Sequence, residues 1–62
     1  MITLLGDNGQ SVCINLNFFL FAEKEDRDGG YYIYICMMHT TISLCFKNKD
    51  NRDFEFSKFI NY

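Results

Sequence analysis

The chain has 62 residues and a net charge of −2; 48% of it is hydrophobic, 18% aromatic, with three cysteines and no proline. A chain this short makes one domain, buries only about 60% of the surface its unfolded form exposes, and gains from self-association, a metal or disulfides. The composition excludes a disordered chain, the scattered basic residues exclude affinity resting on phosphate contacts, and no apolar run is long enough for a membrane helix.

Met1–Gln10 lacks the charged and apolar regions of a leader. The odd cysteine count argues against a closed disulfide framework. The expectation is a cytoplasmic protein with no cofactor, no direct nucleic-acid contact and no membrane contact. Many Asn, Lys, Ile and Phe residues suit an AT-rich genome, bacterial or phage.

In chain order, Ile2-Thr3-Leu4-Leu5 predicts a short strand. Asp7-Asn8-Gly9 predicts a three-residue hairpin loop, with Gly9 in the left-handed position. That loop sets Leu4 opposite Val12 and Ile2 opposite Ile14, so all four share one face. Asn15-Leu16-Asn17 predicts a turn or bulge. Phe18–Ala22 is a uniform apolar run, taken as strand on its shortness and phenylalanines. Glu23–Gly30 is expected to be a solvated, mobile loop.

The central stretch is Tyr31–Phe46, YYIYICMMHTTISLCF. It alternates with period two on both sides of His39-Thr40, which predicts a β-hairpin. With His39-Thr40 as the turn, Met37 faces Ile42, Ile35 faces Leu44 and Ile33 faces Phe46. His-Thr suits a two-residue turn poorly, so a four-residue loop stays open. Lys47–Asp53 is expected to be a polar loop. Beyond it, Phe54 and Phe56 alternate like a strand, while Phe56, Phe59 and Ile60 are spaced like one helix face that Asp53 caps. The favoured reading is a helix. The whole predicts a mainly β fold: one domain over 1–62, a small antiparallel sheet of about five strands built on hairpins, and a short C-terminal helix or turn.

Cys13, Cys36, His39 and Cys45 have the composition of a structural zinc set. Cys13 stands alone, however, and no Cys-x-x-Cys exists, so three small half-buried residues and a loop histidine are the expected reading. A Cys–His nucleophile needs a cleft and an oxyanion site, for which so short a chain has little room. Glu23, Glu25, Asp26 and Asp28 form one acidic cluster, and Asp50 and Asp53 another. Neither has the ligand order of a calcium loop, so both are expected as solvated acidic loops. Gly29-Gly30 leads into a strand and offers no phosphate cradle. No enzyme is expected.

The second face of the hairpin is the informative one. Tyr32, Tyr34, Cys36, Met38, Thr41, Ser43 and Cys45, with Cys13, make it aromatic, sulfur-rich and uncharged, whereas a water-facing sheet alternates apolar with charged residues. Tyr and Met are enriched at protein interfaces. Tyr32, Tyr34, Cys36 and Met38 are the candidate contact residues, toward a protein partner or a second copy in a homodimer or larger oligomer. The competing expectation is that the Phe-rich tail folds over this face and makes it core.

Ile2, Leu4, Asn8-Gly9, Val12 and Ile14-Asn15 carry a pattern that resembles the N-terminal part of the small flagellar-operon proteins of the FlbD/SwrD type. That resemblance implies a short cytoplasmic β-rich fold. The chain departs from it at Phe18–Phe21, in its acidic 23–28 loop and in its weak C-terminal helix signal. The leading functional expectation is a non-enzymatic protein-binding module. It would be a small regulator or inhibitor, of the kind phages use against bacterial defence, that occludes a partner's surface, with acidic loops competing with nucleic acid for a basic groove. A flagellar-type regulatory protein and an oligomeric sponge for a nucleotide-like ligand are the alternatives.

Overall fold

The computed structural model describes residues 1–7 and 9–60. Strands β1 (Ile2–Leu5), β2 (Ser11–Ile14), β3 (Phe19–Arg27), β4 (Gly30–Met37) and β5 (Thr41–Phe46) precede a helix, α1 (Lys49–Ile60). The fold is mainly β with a C-terminal helix, as the sequence predicts. The strands divide between two antiparallel sheets, a β1–β2 hairpin and a β3–β4–β5 meander.

The first hairpin has the expected register, with Ile2 opposite Ile14 and Leu4 opposite Val12. Its loop closes where the Gly6 N–H donates to the Gln10 carbonyl at 2.8 Å. Gly9 has φ 83°, the left-handed geometry expected of it; Asn8, beside it, lies outside the described residues. The turn at Asn15–Asn17 forms as predicted: Asn15 Oδ1 accepts from the Asn17 N–H at 3.0 Å, and the Asn15 carbonyl accepts from the Phe18 N–H at 3.0 Å.

The largest correction concerns Glu23–Gly30, which is not a mobile loop. β3 continues through Arg27, and Arg27 pairs with Gly30. Only Asp28 and Gly29 lie between them, with φ 52° and 77°. Two successive left-handed residues define the tight turn that Asp-Gly favours, because its twist matches that of the flanking strands. Glu23, Glu25 and Asp26 are therefore strand residues, and Asp28 is a turn residue.

The β4–β5 register is a second correction. Tyr31 faces Phe46, Ile33 faces Leu44 and Ile35 faces Ile42. The Met37 N–H donates to the Thr40 carbonyl at 2.8 Å, so Met38-His39 forms the turn in place of His39-Thr40. The expected register was off by two residues. A two-residue slip leaves every side chain on its face, so the faces stand.

The inner face of the meander and the first hairpin share one core. Ile33, Ile35, Leu44 and Phe46 join Ile2, Leu4 and Ile14 in a single buried cluster, against which Phe56 and Phe59 of α1 pack. The expected polar loop over 47–53 is a third correction, because α1 begins at Lys49 and takes in Asp50 and Asp53. Its cap is Asn48, not Asp53: Asn48 Oδ1 accepts from the Asn51 N–H at 3.0 Å. Asp7 reinforces this junction by accepting from the Lys47 and Asn48 N–H groups at 2.6 and 3.2 Å and from Asn51 Nδ2 at 3.1 Å. The bond from the Lys47 N–H, then that from Asn51, holds the Asp7 carboxyl below its ordinary pKa.

The fully buried residues of α1 are charged: Arg52 is 3% exposed and Glu55 6%. Arg52 donates to Asp26 Oδ1 and Asp53 Oδ1 at 2.7 Å and to the Glu25 carbonyl at 3.1 Å, with its guanidinium 5.5 Å from the Tyr31 ring centre. Desolvation opposes its charge, but the bonds to Asp26 and Asp53 outweigh that and hold its pKa above the ordinary value. Glu55 Oε1 accepts from the Leu5 N–H and from Lys58 Nζ, both at 2.8 Å, and Lys58 Nζ donates to the Thr3 carbonyl at 3.0 Å. The helix thus covers the free edge of β1 with side chains that satisfy its backbone, a recognised way to protect a sheet edge.

Candidate interaction surface

Strand alternation sends Tyr32, Tyr34 and Cys36 to the face opposite Ile33 and Ile35. On β5 their neighbours are Cys45, Ser43 and Thr41. On β3 they are Glu25, Glu23 and Phe21. The expected aromatic and sulfur-bearing strip is present, but β3 lines it with carboxylates.

The two tyrosines form an ordered pair. Their rings stack with centroids 5.9 Å apart at an interplanar angle of 10°. The Arg27 guanidinium lies 5.5 Å from the Tyr32 ring centre and 5.8 Å from that of Tyr34, and Arg27 also donates to the Tyr34 hydroxyl. A guanidinium over an aromatic face is attracted by the ring quadrupole, so Arg27 holds both rings in place. The Cys45 side chain, by hydrogen bonding and by its charge when ionised, pushes the Tyr32 phenol above its ordinary pKa.

At one end the strip opens into an apolar rim. Phe18, Leu20, Phe21 and Met38 are exposed, Met38 at 61% and Phe21 at 51%. The Met38 N–H donates to the Phe18 carbonyl at 2.8 Å, and the Phe18 ring lies 5.4 Å from His39. Two turns distant in sequence are thereby joined. Leu20 sits at an irregularity in the β3–β4 register, where a bulge frees its side chain from the regular alternation.

α1 does not cover this strip. Its residues reach the inner face, the β1 edge and the Phe19 ring, with Phe59 stacked on Phe19 at 5.0 Å. The expectation that the tail folds over Tyr32 and Tyr34 is not met by α1; Asn61 and Tyr62, the last residues of that tail, lie outside the described residues. Met38 belongs to the rim rather than the strip. Cys13 belongs to neither, since it lies on β2 with its sulfur 3.6 Å from Thr3 Oγ1.

The acidic residues scatter. Glu23 and Glu25 flank the tyrosines, while Asp26 turns inward to Arg52. Asp28 is in the turn, and Asp50 is in the first turn of α1. Asp53 bridges Arg52 at 2.7 Å and Lys24 at 3.7 Å, and its carboxyl is held below its ordinary pKa chiefly by the Arg52 bond. The suggested zinc ligands Cys13, Cys36, His39 and Cys45 are not gathered: no group of three or more His, Cys, Asp or Glu among the described residues is placed to hold a metal. The described residues form no pocket. No helix among them is long and apolar enough to cross a membrane.

Sequence reasoning missed Arg27 and Phe21 as parts of this surface. The signal was Asp28-Gly29, which places Arg27 at a hairpin end and, counting back, Glu25, Glu23 and Phe21 beside the tyrosines. No family model, curated protein or solved structure matches the chain.

Proposed function

We propose that this chain is a non-enzymatic protein-binding module, a small regulator or inhibitor that occludes a partner's surface with the outer face of its meander. One observation carries the reading. The helix and the first hairpin both pack on the inner side, leaving the Arg27-ordered Tyr32–Tyr34 pair and the exposed Phe21–Met38 rim uncovered. Preordered tyrosines beside an arginine are the residue types that dominate binding energy at interfaces. Exposed apolar side chains next to them supply area that excludes water. Glu23 and Glu25 alongside favour a partner with basic groups at its margin.

The test is sedimentation velocity of the wild type, alone and with candidate partners, beside Tyr34→Ala and Met38→Ser. Association lost in both variants, with their circular dichroism unchanged, supports the reading. A wild type that stays monomeric and binds nothing, or association indifferent to both substitutions, overturns it.

A further inference from the structure

The outer strand of the meander has an open backbone edge. β3 pairs only with β4 among the described strands. Antiparallel pairs alternate between residues that exchange hydrogen bonds and residues that do not. Counted from the Arg27–Gly30 pair that closes the turn, Glu25 and Glu23 bond to β4, while Asp26, Lys24 and Ala22 direct their N–H and C=O groups away from the sheet. The helix reaches β3 here through long side chains, Arg52 to Asp26 and Asp53 to Lys24, and residues 23 to 27 remain exposed.

A second copy paired through its own β3 about a two-fold axis is a poor occupant. Residues that bond outward must face residues that bond outward, so two β3 strands related by a two-fold axis pair with an even sum of residue numbers. Every such register centred on residues 23 to 26 sets two acidic side chains opposite each other: Glu23 on Glu23, Glu23 on Glu25, Glu25 on Glu25, or Asp26 on Asp26. Like charges directly opposite destabilise a strand pair. Lys24 and Asp26 already have partners on the inner side, whereas Glu25 has only Arg27 at 3.9 Å, and no ion pair engages Glu23 among the described residues. The open edge therefore carries uncompensated negative charge on its outer side, next to the apolar Phe21.

We propose that the β3 edge receives an extended segment of a partner protein as a fourth strand of the meander. This segment carries Lys or Arg opposite Glu23 and Glu25 and an apolar side chain opposite Phe21. The inference rests on the outer face being a protein-binding surface and names the chemistry of what binds there. Main-chain bonds at Ala22, Lys24 and Asp26 supply affinity, and alternate side chains supply selectivity.

The probe is a synthetic peptide, Lys-Thr-Lys-Thr-Val, which in antiparallel pairing sets Lys opposite Glu25 and Glu23 and Val opposite Phe21, with Glu-Thr-Glu-Thr-Val as control. The readout is amide hydrogen exchange by NMR. The Lys peptide is expected to slow exchange at Ala22, Lys24 and Asp26 on the order of tenfold or more, and the Glu peptide is not. The Glu23→Lys/Glu25→Lys variant reverses that preference. Ala22→Pro removes one outward N–H without touching the β4 ladder, weakening binding by about fivefold. Unprotected edge amides overturn the strand inference, while perturbed Tyr34 and Met38 signals in the same spectra leave the face itself standing. Equal protection by both peptides overturns the charge assignment. Protection that rises with protein concentration and no peptide overturns the choice of a foreign segment.

Discussion

The two faces of β4 look alike in sequence and differ in fate. Tyr31, Ile33, Ile35 and Met37 point one way, Tyr32, Tyr34 and Cys36 the other, and neither set carries a charge. The first set joins the core with the β1–β2 hairpin and α1. The second is ordered by one arginine from the neighbouring strand and otherwise left open. Alternation thus separates two faces without saying which becomes core. That choice lies with the flanking strand. β3 places Lys24 and Asp26 where Asp53 and Arg52 of the helix meet them, and places Glu23 and Glu25 beside the tyrosines, where no ion pair with the helix is formed among the described residues.

The strongest way to break the comparison is to truncate one residue on each face. Ile35→Ala opens a hole in a fully buried site and should cost about 3 kcal/mol, a large share of the stability of so small a domain. Thermal melts should show the variant largely unfolded near 37 °C. A loss no greater than that of an outer-face truncation would mean that the faces are energetically equal. The next effect is at the helix. Arg52→Ala removes the residue that ties α1 to Asp26 and to the Glu25 carbonyl and should cost about 2 kcal/mol, read from urea midpoints. An unchanged midpoint would assign the docking of α1 to Phe56 and Phe59 alone. Gly29→Ala should cost about 1 kcal/mol, because a Cβ is strained at its left-handed φ; indifference there would contradict the tight turn.

The register of the first hairpin was legible because two signals agreed, the loop residues and the pairing of Ile2 with Ile14. The central hairpin was legible in its faces but not its register, since a slip by two keeps every side chain on its side and Met38-His39 has no turn signature of its own. Residues 23 to 27 were not legible. Five charged residues in a row have the composition of a loop, and their strand conformation depends on pairing with Gly30–Tyr34, a tertiary override of local preference. Asp28-Gly29 was the available correction. The helix was only half visible, because its buried residues include Arg52 and Glu55 while Ile60, on the supposed apolar face, is exposed. Apolar periodicity found Phe56 and Phe59, which pack on the core, and could not find the charged side of the helix, where Arg52 and Glu55 dock. The candidate surface was legible in Tyr32, Tyr34, Cys36 and Met38, and not in Arg27 or Phe21, whose place depends on that misread strand.

A smaller effect distinguishes the charged contacts by pH. Asp7 and Asp53 have folded pKa values below their unfolded ones. Their contribution is therefore present above the unfolded carboxylate range, about pH 4, and is lost as the pH falls through the lower folded values. Arg52 stays charged throughout. Melting temperature should decline on acidification below that range, and Asp7→Asn with Asp53→Asn should flatten the decline. A wild-type melting curve flat to low pH would show that these carboxylates contribute nothing through their charge.

The smallest expected effect on stability is also the most informative about the outer face. Tyr34 touches Tyr32 and Arg27 and is not among the described residues that pack against the core shared with the hairpin and the helix. Tyr34→Ala should therefore cost no more than about 1 kcal/mol, the worth of a stacked aromatic pair beyond its area. It breaks no β4 backbone bond, so circular dichroism should be unchanged. If the face binds a partner, the same substitution removes an anchor, and truncating an anchor typically costs about 2 kcal/mol or more of binding energy. The ratio of the two losses is the quantity to measure, by melts and sedimentation on the same samples. A core residue loses stability first and association only as a consequence; an interface residue shows the reverse order. Ile35→Ala supplies the core pattern in the same experiment. If Tyr34→Ala reproduces that pattern, the outer face stabilises the monomer and the search for a partner surface moves to the β3 edge.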